Sequence, residues 1–135
     1  MKARTKSIIL ALTFFVIAFA NSSTFAANRS DKVTEKAREA VKKASPDDWH
    51  TLANSAEKCL KKKVNLKEVA EWLDKSISIK ETPYNLTLKG DYYRINKLPE
   101  KAMEFYVKAI SEAMASDINA DTDHIQQRIA DIKNM

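Results

Sequence analysis

Thr82–Ile110, TPYNLTLKGDYYRINKLPEKAMEFYVKAI, decides how the rest of this chain is read. Thr82 is an N-cap residue, and Pro83 stands at the first helical position, where its missing N–H costs nothing. Leu86, Gly90 and Tyr93 recur at helical spacing, and Leu88, Tyr92 and Ile95 form a second stripe beside them. A helix apolar on two sides must be covered from two sides, so this one belongs between other helices. Asn96 is expected to take the left-handed conformation that ends it. Leu98-Pro99 then opens a second helix, with Ala102, Met103, Tyr106, Ala109, Ile110 and Ala113 on one face.

The same vocabulary recurs upstream. Asn65 reads as a cap, Glu68 closes a capping box with it, and Val64 staples to Val69. The helix that follows buries Val69, Ala70, Leu73 and Ile77, with Trp72 on its flank. Before it, Ser45-Pro46-Asp47-Asp48 offers an N-cap serine, a proline at the first position and two carboxylates on the positive end of the dipole. That placement accounts for Asp47 and Asp48 without any acid–base role. The helix so started carries Trp49, Leu52, Ala53, Ala56 and Leu60 on one face and stops near Lys63. Residues 27–45 give a further helix whose stripe (Val33, Ala37, Ala40, Val41, Ala44) is mostly alanine, which makes its docking weak. Downstream of the two hairpins at 46–116, residues 117–135 give a polar connector and a closing helix. Its single stripe is Ile125, Ile129 and Ile132.

Residues 1–26 read as a secretory signal. Lys2, Arg4 and Lys6 precede an apolar core, Ile8–Ala20, and Asn21–Thr24 lead to a small-residue cleavage site after Ala26. Ala18-Phe19-Ala20 is the competing site. The apolar run is shorter than the ~20 residues that span a bilayer. The expectation is therefore an exported protein, in a bacterial periplasm or secreted, and the alternative is a chain tethered by an uncleaved leader. Cys59 lies far from the leader, which excludes a lipid-modified mature N-terminus.

Of the 23 basic residues three belong to the leader, leaving 20 against 18 acidic ones. A chain so near balance gives little support for nucleic-acid binding. The run Lys61-Lys62-Lys63 reads as a dipole-complementing, solvated helix end. One cysteine makes no internal disulfide, and Cys59 is expected to pack as a small hydrophobe. With 44% apolar residues and a single glycine, turns are too few for a sandwich or barrel. The fold class is all-α.

Glu71–Ile77 matches Glu104–Ile110 at a constant offset of 33 (104 − 71). The second hairpin, Leu86-x2-Lys89-Gly90-x2-Tyr93 followed by Ala102-x3-Tyr106 and Ala109, resembles the tetratricopeptide repeat family closely. The first resembles it loosely, through Trp49-x2-Leu52-Ala53-x2-Ala56, Val69-x3-Leu73 and Ser76, with four extra residues between Ala56 and Val69. Lys89 stands where the family has Leu, and Glu81 and Met114 where it has a closing proline. The resemblance implies antiparallel helical hairpins stacked as a short right-handed array with flanking helices as covers. It also implies a groove lined by the first helix of each pair. The groove residues would be Tyr84, Thr87, Asp91 and Arg94 on the second hairpin and His50, Asn54 and Lys58 on the first. Such a surface suits an extended peptide or helix of another protein.

Enzyme signatures are missing. His50 and His124 are the only histidines and fall in separate helices, and no His-Glu-x-x-His, Gly-rich phosphate loop or Gly-x-Ser-x-Gly occurs. No cofactor or metal is expected. A small-ligand carrier or an enzyme is the more distant alternative. Asn85-Leu86-Thr87 fits a glycosylation sequon but, inside a helix, reads as a chance match.

Overall fold

The structure is a computed structural model that describes residues 21–134. It comprises α1 (Asn21–Lys43), α2 (Trp49–Lys62), α3 (Leu66–Ile79), α4 (Pro83–Ile95), α5 (Pro99–Ser116) and α6 (Asp123–Lys133). No strand occurs among the described residues, and the fold is all-α. The signal reading of residues 1–20 lies outside the described residues. Asn21–Ala26, the tail of that segment, belong to α1.

Three-residue connectors at 63–65, 80–82 and 96–98 turn the chain back on itself three times. Ser76, near the end of α3, donates from its hydroxyl to the carbonyl of Trp49 at the start of α2, 2.7 Å away. Lys108, well along α5, reaches Glu81 just ahead of α4. So α2 packs antiparallel on α3 and α4 on α5, while α4 also lies against α2 and α3. On the flanks α1 covers α2, and α6 covers α5.

The helix ends follow the sequence in kind but not always in place. At α4 the capping box forms as a reciprocal pair: Asn85 N–H donates to Thr82 Oγ1 and Thr82 N–H to Asn85 Oδ1. At α2 the cap is Asp48, not Ser45; Asp48 Oδ1 accepts from Thr51 N–H at 2.9 Å. Ser45 instead closes a turn, its carbonyl accepting from Asp48 N–H. Proline at 46 stiffens that turn rather than opening the helix. Asn65 does not cap α3 through its side chain. It sits at φ 53°, and its amide donates to Glu68 Oε2. The left-handed residue that ends α4 is Lys97 (φ 58°), one beyond Asn96, and Lys63 (φ 54°) does the same for α2. Both ends are closed by paired bonds back to the helix, Val64 N–H to Cys59 and Lys63 N–H to Leu60 in one, Leu98 N–H to Tyr93 and Lys97 N–H to Arg94 in the other.

Two apolar clusters make the core. One holds Ala37, Leu52, Ala53, Ala56, Cys59, Leu60, Val69, Trp72, Leu73 and Leu88. The other holds Leu86, Ala102, Tyr106, Ala109 and Ile125. The two stripes of α4 divide between them: Leu88, Tyr92 and Ile95 face the first, Leu86 and Tyr93 the second. At the α4–α5 crossing, the ring of Tyr106 packs against Gly90, and a methyl added there would overlap its Cε1 and Cδ1. Only glycine lets the helices approach that closely. Asn85 is fully buried. Its amide donates to Ser76 Oγ at 3.0 Å and to the Lys80 carbonyl at 2.7 Å, which ties α2, α3 and α4 together. That burial also closes the sequon to modification. Cys59 is a buried free thiol whose pKa burial pushes up, which keeps it inert.

Candidate functional site

The sequence places its candidate binding residues on α2 and α4, and the structure brings some of them together. His50 and Tyr84 stack with ring centroids 5.9 Å apart, and Trp49 meets His50 edge-on at 5.4 Å. Since both residues lie in the first turns of their helices, α2 and α4 start side by side and run the same way. Tyr84 reaches down α2 and donates from its hydroxyl to Glu57 Oε2 at 2.9 Å. Partial burial and the Glu57 carboxylate both push the Tyr84 phenol up. On Glu57, burial works upward, but the bonds from Lys61 and Tyr84 outweigh it and hold the carboxyl below its ordinary range.

Two turns further along α4, Asp91 gathers three donors on a single oxygen. Tyr106 O–H donates to Oδ1 at 2.8 Å, Arg128 Nε at 3.0 Å, and Arg94 Nη2 stands 3.6 Å away. Tyr106 is wholly buried; that burial, and then the Asp91 charge, raise its phenol pKa far above the usual value. Arg128 comes from α6 and is anchored by its own Nη1 to the His124 carbonyl. Arg94 keeps donors in reserve: its Nε is buried without an acceptor, while the side chain as a whole is 38% exposed.

The remaining assignments fare differently. Thr87 is buried and spends its hydroxyl on the Pro83 carbonyl, so it lines no open surface. Asp91 is mostly buried and is committed to Tyr106 and Arg128 before any partner arrives. Asn54 and Lys58 join neither cluster through a hydrogen bond or ion pair; Lys58 is exposed on α2. What the sequence missed is Glu57 on α2 and Arg128 on α6. Both complete the inner face that His50, Tyr84, Asp91 and Arg94 begin. Residues 34 apart pair His50 with Tyr84 (84 − 50) and Glu57 with Asp91 (91 − 57), the spacing of the two helix starts.

On the opposite side of α4, Lys89 is buried where an apolar residue would be expected. Its Nζ bonds Asp74 Oδ1 at 2.6 Å and lies 5.2 Å from the Tyr92 ring centroid and 5.4 Å from that of Tyr93. The ammonium is thus satisfied from three sides and serves packing. Among the described residues no three of His, Cys, Asp and Glu converge as a metal would need, and no helix is long and apolar enough to cross a membrane. Comparison with protein-family models, curated proteins and solved structures gives no match for this chain.

Proposed function

We propose that this chain is an exported, tetratricopeptide-like module that acts by binding a segment of another protein, with no chemistry of its own. The observation that carries the reading is the face shared by α2, α4 and α6. There an aromatic pair (His50, Tyr84), a carboxylate (Glu57) and two guanidinium groups (Arg94, Arg128) stand on rigid helices beside one another. Mixed aromatic and charged side chains held by packed elements are what a surface for an extended peptide or helix requires. Helix spacing supports the repeat reading. The starts of α2 and α4 are 34 residues apart (83 − 49), and those of α3 and α5 are 33 apart (99 − 66). In that register Ala56 takes the place of Gly90, and the first hairpin carries no extra turn.

The test is affinity capture from the exporting cell with wild type and a His50→Ala/Arg94→Ala variant. Both truncations leave the Tyr106–Asp91–Arg128 hydrogen bonds in place, so the variant should remain folded, with an unchanged circular dichroism spectrum. A partner held by wild type and lost by the variant is expected. The same partners held by both would remove the groove assignment. Mass measurement of the mature N-terminus tests export: a start near Ala27 is expected, and a retained Met1 would replace the free form by the tethered one.

A further inference from the structure

The two short turns, Lys63–Asn65 and Asn96–Leu98, lie at the same end of the molecule. This follows from α2 and α4 starting side by side and having nearly equal lengths, 14 and 13 residues. α6 runs the same way, since Arg128 in its middle meets Asp91 in the middle of α4, so Lys133 arrives at that end too. The result is a cluster of exposed lysines: Lys62 and Lys63 after α2, Lys67 opening α3, Lys97 and Lys101 around the start of α5, and Lys133 closing α6. Lys61 is balanced by Glu57, and Glu68 by Arg38, which leaves Glu100 and Asp131 as the nearest opposing charges. The far end is more acidic, with Asp47, Asp48, Glu81, Asp117, Asp121 and Asp123 in or beside its connectors against Lys42, Lys43 and Lys80.

Complementing helix dipoles explains Lys62 and Lys133, which sit at helix C-termini. It does not explain Lys67 and Lys101. They occupy the first turns of α3 and α5, where the positive end of the dipole disfavours a cation. Nor does it explain lysine at both left-handed positions, Lys63 and Lys97, where glycine is the unstrained choice. Lys101 is accounted for otherwise, its Nζ lying 5.4 Å from the Tyr93 ring centroid, so lysine stands at three places where local structure argues against it, all at one end.

We infer that this end is a docking surface for an anionic lipid bilayer. Neighbouring helices place the two turns within about 10 Å of each other, close enough for the charges to act together. The bilayer is favoured among polyanions because of where the chain comes from. α1 runs antiparallel to α2, its connector Ala44–Asp48 lying at the acidic end, so its amino-terminal half lies toward the lysines. The apolar run Ile8–Ala20 precedes that half in sequence. A chain that keeps its leader turns this end of the domain toward the membrane. This inference is independent of the inner face of α2, α4 and α6.

The test uses the full chain and its Lys62→Gln/Lys67→Glu/Lys133→Gln variant, which spares the left-handed lysines and the Lys101–Tyr93 contact and places its one new carboxylate where a helix dipole favours it. The variant should therefore melt close to wild type. Wild type should partition onto phosphatidylcholine vesicles containing about one-third phosphatidylglycerol at least about ten-fold more strongly than the variant does, with the difference fading in high salt. On pure phosphatidylcholine the two should match. Equal binding of both proteins to the anionic vesicles would overturn the inference. Tighter binding of wild type to heparin or duplex DNA than to the vesicles, at one ionic strength, would overturn it as well.

Discussion

Replacing Gly90 by alanine sets two effects against each other. In an ordinary helix interior the change stabilises by about 1 kcal/mol. Here the new methyl would meet the ring of Tyr106, which is wholly buried and held by Asp91. Overpacking of that kind costs about 1–3 kcal/mol or more when the neighbour cannot move. A net loss near 2 kcal/mol is expected in urea unfolding, and adding Tyr106→Leu should recover part of it, a non-additivity that locates the clash. The same residues set the pH response. Glu57 has a folded pKa below its unfolded value, so its contribution is present above about pH 4.5 and is lost as the pH falls through the folded value. Tyr106 and Tyr84 have folded values above the ordinary 10, so their contribution is present below pH 10 and is lost as the pH rises beyond it. Stability should fall off on both sides, measured as melting temperature against pH. Glu57→Gln should flatten the acid limb, and Tyr106→Phe the alkaline one.

At the level of elements, the two left-handed lysines are the most direct target. Such a conformation costs a non-glycine residue about 1 kcal/mol, and part of that returns when glycine is substituted. Lys63→Gly and Lys97→Gly should each raise the urea midpoint, by a stability gain of about 0.5–1 kcal/mol. These ends also show what was legible in the chain. The central helix was readable because Thr82-Pro83 and its two apolar stripes agree with one another, and the structure keeps each of them. The Ser45-Pro46 signal misled because the same residues serve a turn equally well, and Asp48 offers the competing cap. The pattern match through Trp49 and Ala53 sets α2 against α4 at an offset of 37 (90 − 53), where the helix starts are 34 apart. It places Asn54 opposite Asp91 (91 − 37), and Lys58 is read in place of its neighbour Glu57. Asn85 and Arg128 were hidden for another reason. Their partners lie on other helices, 9 to 37 residues away, and no local pattern announces such a bond.

For the molecule as a whole, α4 is the member common to both apolar clusters, and Asn85 binds it to the pair before it. The two halves should therefore lose structure together. Leu73→Ala and Leu86→Ala strike different clusters, and each is expected to destabilise by about 2–5 kcal/mol. Both should shift one transition seen alike by circular dichroism and tryptophan fluorescence, although Trp72 belongs to the first cluster. A protein divided at the Lys80–Glu81 link puts the same dependence to use. Neither fragment carries a finished interior: the first lacks the leucine that seals it, and the second lacks the asparagine's acceptors. Expressed singly, each piece should be insoluble or protease-sensitive; produced in one cell, they should reassemble and co-purify, which would make this small bundle a split reporter.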